Sequence, residues 1–369
     1  MATRLDAKTK LRRSSALVVT FESSAFAVTN YLRRRSFTCN ALGLEILAQA
    51  AAWRDVARFR ADLKSYTPAS ITASLAKLVE GGGLVVQGSP EAKDDEAYAK
   101  HWEWGPMAGL FHFGSRNPRF MTRHEAESYL EARARKRPSP PTYLKNTSAR
   151  AIALPSVTSP DAVLSAMLRR RSVRAFRQTP VQPAQLGEAL LSGLGILGFF
   201  EHPTLGRMPV TLTPSGGARN PFEAYVYCRK VQGVAEGLYH YSALQHSLEP
   251  VAATAPKPAE LLPQQAWVDD AAAIVFLVAN FDRTMWKYGQ PFGYKTVLIE
   301  AGHIAQNIAV TCAKLGLTAN PTLGIDDARL DKALGLAPPL QSALYALSIG
   351  HADPSTIAPN EVPGDRAKF

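Results

Sequence analysis

Apolar residues recur along the chain with two periods, and the switch between them predicts the elements. Leu17-Val18-Val19-Thr20-Phe21 reads as a strand, and residues 42–51 and 55–63 carry apolar positions at helical spacing. Thr67-Pro68-Ala69-Ser70 is a helix cap, and Ile71, Leu75, Leu78 and Val79 share one face of the helix it starts. Gly81-Gly82-Gly83 stops that helix, and Leu84-Val85-Val86 follows as a strand. Beyond residue 160 helices and strands alternate. Residues 162–168 and 186–199 read as helices, the second with glycines, and residues 224–227 and 237–241 read as strands. Residues 272–279, Ala-Ala-Ile-Val-Phe-Leu-Val-Ala, have no polar break and predict a strand covered on both faces. Residues 297–315 form a long apolar helix, and residues 344–349 a closing strand. Such interspersion predicts an α+β domain around a mixed sheet flanked by helices.

With 369 residues the chain has room for two domains. Arg135-Lys136-Arg137-Pro138-Ser139-Pro140-Pro141 is basic and proline-rich, and Pro155 and Pro160 follow. The expected division is therefore residues 1–134, a linker over 135–160, a second domain over 161–353 and an extended tail over 354–369. In the first part the order helix, turn, helix, glycine stop, strand is the outline of a winged helix. A groove-reading version needs basic side chains on its second helix, and between Ser70 and Glu80 only Lys77 qualifies. DNA is not the expected partner; a structural or peptide-docking role is.

Of the net charge of +11, most belongs to residues 1–150, where 24 Lys+Arg face 14 Asp+Glu. That asymmetry suits an acidic partner as well as a solvated basic surface. Cys39, Cys228 and Cys312 are odd in number and widely spaced, and the eight histidines form no helical pair, so neither a disulfide framework nor a metal site is expected. No apolar run reaches membrane-spanning length and no signal-peptide core follows the basic start, which makes the cytoplasm the expected location. Trp102, Trp104, Phe111, His112 and Phe113 form an aromatic cluster expected to pack the first domain on the second, with His112 a satisfied core histidine.

The chemistry concentrates in ordered blocks. Arg170-Arg171-Ser172-Val173-Arg174-Ala175-Phe176 places three guanidiniums and a hydroxyl within five positions, a donor set for phosphate or a heterocycle's carbonyl edge. Pro214-Ser215-Gly216-Gly217 is a turn whose backbone amides can approach a ligand closely. Gly237-Leu238-Tyr239-His240-Tyr241, Trp286-Lys287-Tyr288-Gly289, residues 300–307 (Glu-Ala-Gly-His-Ile-Ala-Gln-Asn) and Gly324-Ile325-Asp326-Asp327 follow. In this order the blocks resemble the thiazole/oxazole-forming azoline dehydrogenases of the SagB and McbC type, a branch of the FMN-dependent nitroreductase superfamily. The resemblance covers about half of the chain closely, residues 165–351.

The resemblance implies a nitroreductase-like fold, a homodimer with FMN between subunits, and oxidation of peptide azolines to azoles during maturation of a ribosomally made natural product. Under it Arg170, Arg171, Ser172 and Arg174 serve the phosphate, the ribityl chain and the ring's carbonyl edge. Pro214, Ser215, Gly216, Gly217 and Asn220 bring backbone to the flavin, Asn307 sits at the shared site, and Leu323, Gly324 and Ile325 pass over the ring. Lys287-Tyr288 is the distinguishing pair: aromatisation releases a proton, and a lysine or tyrosine can take it. His303 on the same apolar helix reads as a core histidine. Two departures stand out. Gly350-His351 occupies the place of a basic phosphate partner, which makes His351 a cofactor candidate, and the turn continues Ala218-Arg219-Asn220 where relatives carry aliphatic and aromatic residues. A modified peptide and a cyclodehydratase are the expected partners. The nearest alternative is an FMN oxidoreductase of the same scaffold acting on a carrier-bound intermediate, a nitroaromatic or a quinone. A flavin-binding regulator and an inactive scaffold are the more distant ones.

Overall fold

The computed structural model describes residues 5–22, 25–137, 140, 160–203, 205–252, 255–353 and 355. Most of the expected linker and nearly all of the expected tail lie outside these residues.

The amino-terminal region is a separate body of strands and helices. Its elements are β1 (Lys10–Arg13), β2 (Leu17–Glu22), β3 (Ala25–Asn30), β4 (Arg35–Cys39), α1 (Ala41–Gln49), β5 (Arg54–Asp55), α2 (Val56–Asp62), α3 (Pro68–Glu80) and β6 (Leu84–Val86). Three polar caps start its helices: Asn40, Asp55 and Thr67 each accept a backbone N–H one turn on. Leu11, Ile46, Phe59, Ile71 and Leu75 close its core. Strand β6 pairs antiparallel with β1, not with a strand after it, and the sheet order is β5-β1-β6. Strands β2, β3 and β4 form a second, antiparallel sheet.

Helices α4 (Pro90–His101), α5 (Gly105–Ser115) and α6 (Arg123–Lys136) follow. Helix α6 carries Arg135 and Lys136 in its last turn, two residues into the expected linker; a Thr122–Glu125 capping box starts it.

The second part begins with α7 (Ala162–Arg169), α8 (Pro183–Leu194), β7 (Ile196–His202), β8 (Gly206–Thr211), β9 (Phe222–Cys228), β10 (Gly237–Ser242) and β11 (Ser247–Ala252). It continues with α9 (Pro258–Leu261), β12 (Ala273–Asn280), α10 (Phe281–Met285), α11 (Phe292–Lys314), β13 (Thr318–Thr322), α12 (Asp327–Leu334) and β14 (Gln341–Gly350). The six-stranded sheet has the order β11-β10-β9-β12-β14-β13. All its named pairs are antiparallel, and the parallel pairing among the described residues is the isolated bridge Val181–Val231. Helices α8 and α11 bury one face of this sheet; α9 and α12 cover the other. That double cover is why β12 is apolar from Ala273 to Ala279 although its neighbours run antiparallel.

One predicted helix is shortened. The run expected as helix over 186–199 ends at Leu194, and Gly195 turns the chain into β7, which pairs with β8 as a hairpin. Glycines 193, 195 and 198 lower the helical preference there, while Phe199 and Phe200 suit a strand.

The aromatic cluster joins the two parts. Trp104 is fully buried, with Phe281 and Tyr294 rings at 5.6 and 5.5 Å. Nδ1 of His112 lies 2.9 Å from the Tyr294 hydroxyl, and burial lowers the imidazole pKa to about 3, so the ring is neutral. Its Nε2 is buried with no hydrogen-bond partner among the described residues, so His112 is only half satisfied. Arg116 extends the junction by pairing with Asp327 and Asp331.

Candidate functional site

The Ser/Gly turn between β8 and β9 is held from beneath. Thr213 donates to the Gly193 carbonyl at 2.7 Å and accepts the Asn307 amide at 2.9 Å. The same Asn307 amide donates to the Ser192 carbonyl, so its nitrogen points inward and ties α11 to α8 and the turn. Ser215 accepts the Asn220 N–H and donates to Glu300, both at 2.8 Å. Pro214 is exposed.

Gly216 leaves no room for a side chain, because a Cβ there would fall 2.1 Å from Thr296 Cγ2. Gly217 has φ +64°, and Ala218 and Asn220 follow in the left-handed region at +54° and +43°. Two non-glycine residues so placed mark a turn whose shape is imposed by its surroundings.

Lys287 and Tyr288 lie over this turn. A Cβ on Gly217 would meet the Tyr288 hydroxyl at 2.6 Å and Lys287 Nζ at 2.7 Å. Nζ is 3.5 Å from the Gly217 carbonyl oxygen. The loop bearing the pair is held by Trp104, whose Nε1 donates to the Tyr288 carbonyl at 2.7 Å. A tryptophan of the amino-terminal region thus fixes the backbone of the candidate base.

Beside the turn opens a cavity of about 400 Å³. Leu194, Ile196, Met208 and Phe222 form apolar wall; Arg219, Arg283, Glu223 and Glu300 bring charge. Burial raises the Glu300 carboxyl to about 7, against the opposing effect of hydrogen bonds from Ser215 and the Gly216 backbone. Glu300 is a functional candidate beyond those expected from sequence, and its signal there is a glutamate between Ile299 and Ala301 on an apolar helix: a lone acid on a buried face needs a reason.

The arginine run lies elsewhere. Arg170 ends α7, and its guanidinium reaches the Ser172 hydroxyl at 3.3 Å. Arg171 Nη1 donates to the Leu168 and Arg170 carbonyls, capping α7. Ser172 and Arg174 are exposed, and no carboxylate pairs with Arg170 or Arg174 among the described residues. His351 is brought alongside: its carbonyl accepts the Arg177 N–H, Phe176 bridges to Ala352, and Thr318 donates to the Arg171 carbonyl.

Arg171, Ala313 and Thr318 line one cavity at the carboxy-terminal end of α11, whereas Gly216 packs on Thr296 near its amino-terminal end. Seventeen residues of helix separate those ends by about 25 Å. Leu323, Gly324 and Ile325 form a third group at the far end of β13 from Thr318. Leu323 is exposed, Ile325 buried, and the Gly324 carbonyl accepts from Gln265 at 2.7 Å. Within one chain the candidate cofactor residues are therefore divided. His303, expected in the core, lies on an exposed face of α11 with Ile299 and Gln306, because the apolar contacts of that helix are made from its other side.

The model of the family described as the nitroreductase family matches residues 167–351, half of the chain. The chain belongs to the nitroreductase family. Its chemistry is accordingly that of an oxidoreductase. The chain is 31% identical over 153 residues to the MJ1384 protein of Methanocaldococcus jannaschii, which is itself named for the nitroreductases; the match covers 41% of this chain and 73% of that one. It is 30% identical over 143 residues to the trifolitoxin-processing protein TfxB of Rhizobium leguminosarum bv. trifolii, covering 37% of this chain and 38% of TfxB. Among solved structures it is similar to a chain of the E. coli microcin synthetase McbBCD complex with truncated pro-MccB17 bound. That match has TM-score 0.38 and 18% identity, and it covers 62% of this chain and 92% of the other.

Proposed function

We propose that this member of the nitroreductase family is an FMN-dependent dehydrogenase that oxidises peptide azolines to azoles in the maturation of a ribosomally made natural product. The observation that carries the reading is the placement of Lys287 and Tyr288 over Gly217, at a turn that opens on a cavity. Similarity to a protein named for trifolitoxin processing supports the peptide substrate.

The residues present fit FMN. Arg170, Ser172 and Arg174 offer solvent-facing donors that no carboxylate of the described residues neutralises, which is the chemistry a phosphate needs. His351 stands beside them as a further donor. The backbone of Ser215, Gly216 and Gly217 would face the ring, with Asn220 and Asn307 bracing it, and Leu323, Gly324 and Ile325 would cover it. When bound, FMN supplies a two-electron acceptor next to the substrate.

This chain's own residues do the rest. The cavity wall orients the ring of the substrate and excludes water from it. Lys287 Nζ takes the proton released from the ring carbon, with Tyr288 as its relay. Because the cofactor groups are divided along α11, the reading requires a second copy of the chain to complete each site. Val163 and Met167 on α7, Leu197 and Phe200 on β7, and Leu298 and Ile299 on α11 hold exposed apolar surface for that copy to cover.

The amino-terminal region, which we treat as winged-helix-like, would dock the acidic unmodified part of the peptide and a cyclodehydratase. Strand β6 is a sheet edge, and beside it Arg33, Arg35, Ala76 and Val79 line a cavity of about 510 Å³. An extended segment can add to such an edge by backbone pairing.

Lys287→Ala tests the reading. Turnover of a thiazoline peptide should fall by about 100-fold or more while the protein stays yellow. Full activity in that variant would remove the base and the reading with it. A simple nitroaromatic or quinone reductase is the second reading, favoured by the longer match to MJ1384, and steady turnover with NAD(P)H as donor would select it.

A further inference from the structure

Arg219 is the residue of the Ser/Gly turn with no role so far, and its setting is unusual. Its neighbours Ala218 and Asn220 both hold positive φ. Nε donates to the Arg283 carbonyl at 2.7 Å, and the guanidinium stacks 4.9 Å over the Trp286 ring. Held on both flanks, the fork leaves its terminal nitrogens without a protein partner among the described residues, and it lines the cavity of about 400 Å³.

The other charges of that cavity are already matched. Arg283 pairs with Glu223 and donates to the Asn220 carbonyl at 2.9 Å, and Glu223 also meets His240 at 3.1 Å. Glu300 is hydrogen-bonded to Ser215, and its raised pKa leaves it less than a full charge near neutrality. Arg219 is therefore the uncancelled charge, set against a wall of Leu194, Ile196, Met208 and Phe222. Such a cavity suits a flat apolar ring that carries an anionic oxygen pair.

We propose that Arg219 is a specificity-determining residue that selects substrates with a carboxylate adjacent to the ring to be oxidised. On the reading above, which the inference deepens, the preferred substrate is an azoline peptide with an acidic side chain or a free carboxyl end next to the ring. A rigid bidentate fork matches a carboxylate plane, which a neutral amide cannot imitate.

The test is calorimetric titration of the flavin-loaded protein with thiazole-4-carboxylate and thiazole-4-carboxamide. The carboxylate should bind at least about tenfold more tightly. Arg219→Gln should bring the two within about twofold with flavin content unchanged, and Arg219→Lys should keep part of the preference. Equal binding of both probes to the native protein overturns the proposal, and so does a preference that survives in Arg219→Gln. Loss of flavin from both variants also overturns it, by reassigning Arg219 to the cofactor. A native protein that holds no flavin would defeat the proposed function instead, while the same titration would still read the preference for the anion. Titration of two short azole peptides, one with aspartate beside the ring and an amidated end, the other with a free carboxyl end, identifies which source of carboxylate is read.

Discussion

Glu300 links the stability of this chain to pH. The ordinary value of its carboxyl is 4.5, and burial raises it to about 7 in the folded chain. Between those values the folded chain holds a proton that the unfolded chain has lost. The contribution of Glu300 to stability is therefore fully present below about 4.5, falls as pH rises and is lost above about 7. The full effect is roughly 3 kcal/mol. Glu300→Gln should lose this slope: urea unfolding at pH 5 and pH 8 should show a smaller difference in the variant than in the native protein. Equal differences would mean that Glu300 is ionised throughout. The identity of the candidate base was legible at this scale, since Lys287-Tyr288 stands in the sequence as a pair. The role of Glu300 was not, because its partner Ser215 is 85 positions away.

Among the elements, the Ser/Gly turn is shaped by the helix under it. Gly216→Ala would drive its methyl into Thr296 and should cost about 1–3 kcal/mol, read from the denaturant midpoint. Thr296→Ala removes the colliding methyl, so the double variant should recover most of that loss; additive losses would show that the turn is not seated on α11. Helices α1 and α2 were readable from the helical spacing of their apolar residues, and α3 also from its Thr67 cap and its glycine stop at Gly81. The strand β12 was readable from its unbroken apolar run. The hairpin of β7 and β8 was hidden, since Leu186 to Phe199 carries apolar residues at a spacing that serves either a helix or a strand, and only tertiary pairing decides.

For the molecule as a whole, the contact of Trp104 with the Tyr288 carbonyl makes the amino-terminal region a support of the candidate active site. Trp104→Phe keeps most of the apolar packing and removes the donor. It should lower turnover by about tenfold with flavin retained, measured by parallel activity and absorbance assays. Unchanged turnover would reduce the contact to packing. Sequence could foresee that the aromatic cluster joins the two parts, yet not that it reaches the loop of Lys287, because no local pattern records a contact across 184 positions. The central claim is that this chain, loaded with FMN, takes electrons from an azoline. The most direct measurement is rapid anaerobic mixing of the purified yellow protein with a thiazoline peptide, following the visible flavin band without NAD(P)H. The account expects the band to bleach as thiazole forms in equal amount. A band that stays intact with the thiazoline peptide and bleaches with NAD(P)H alone would contradict it.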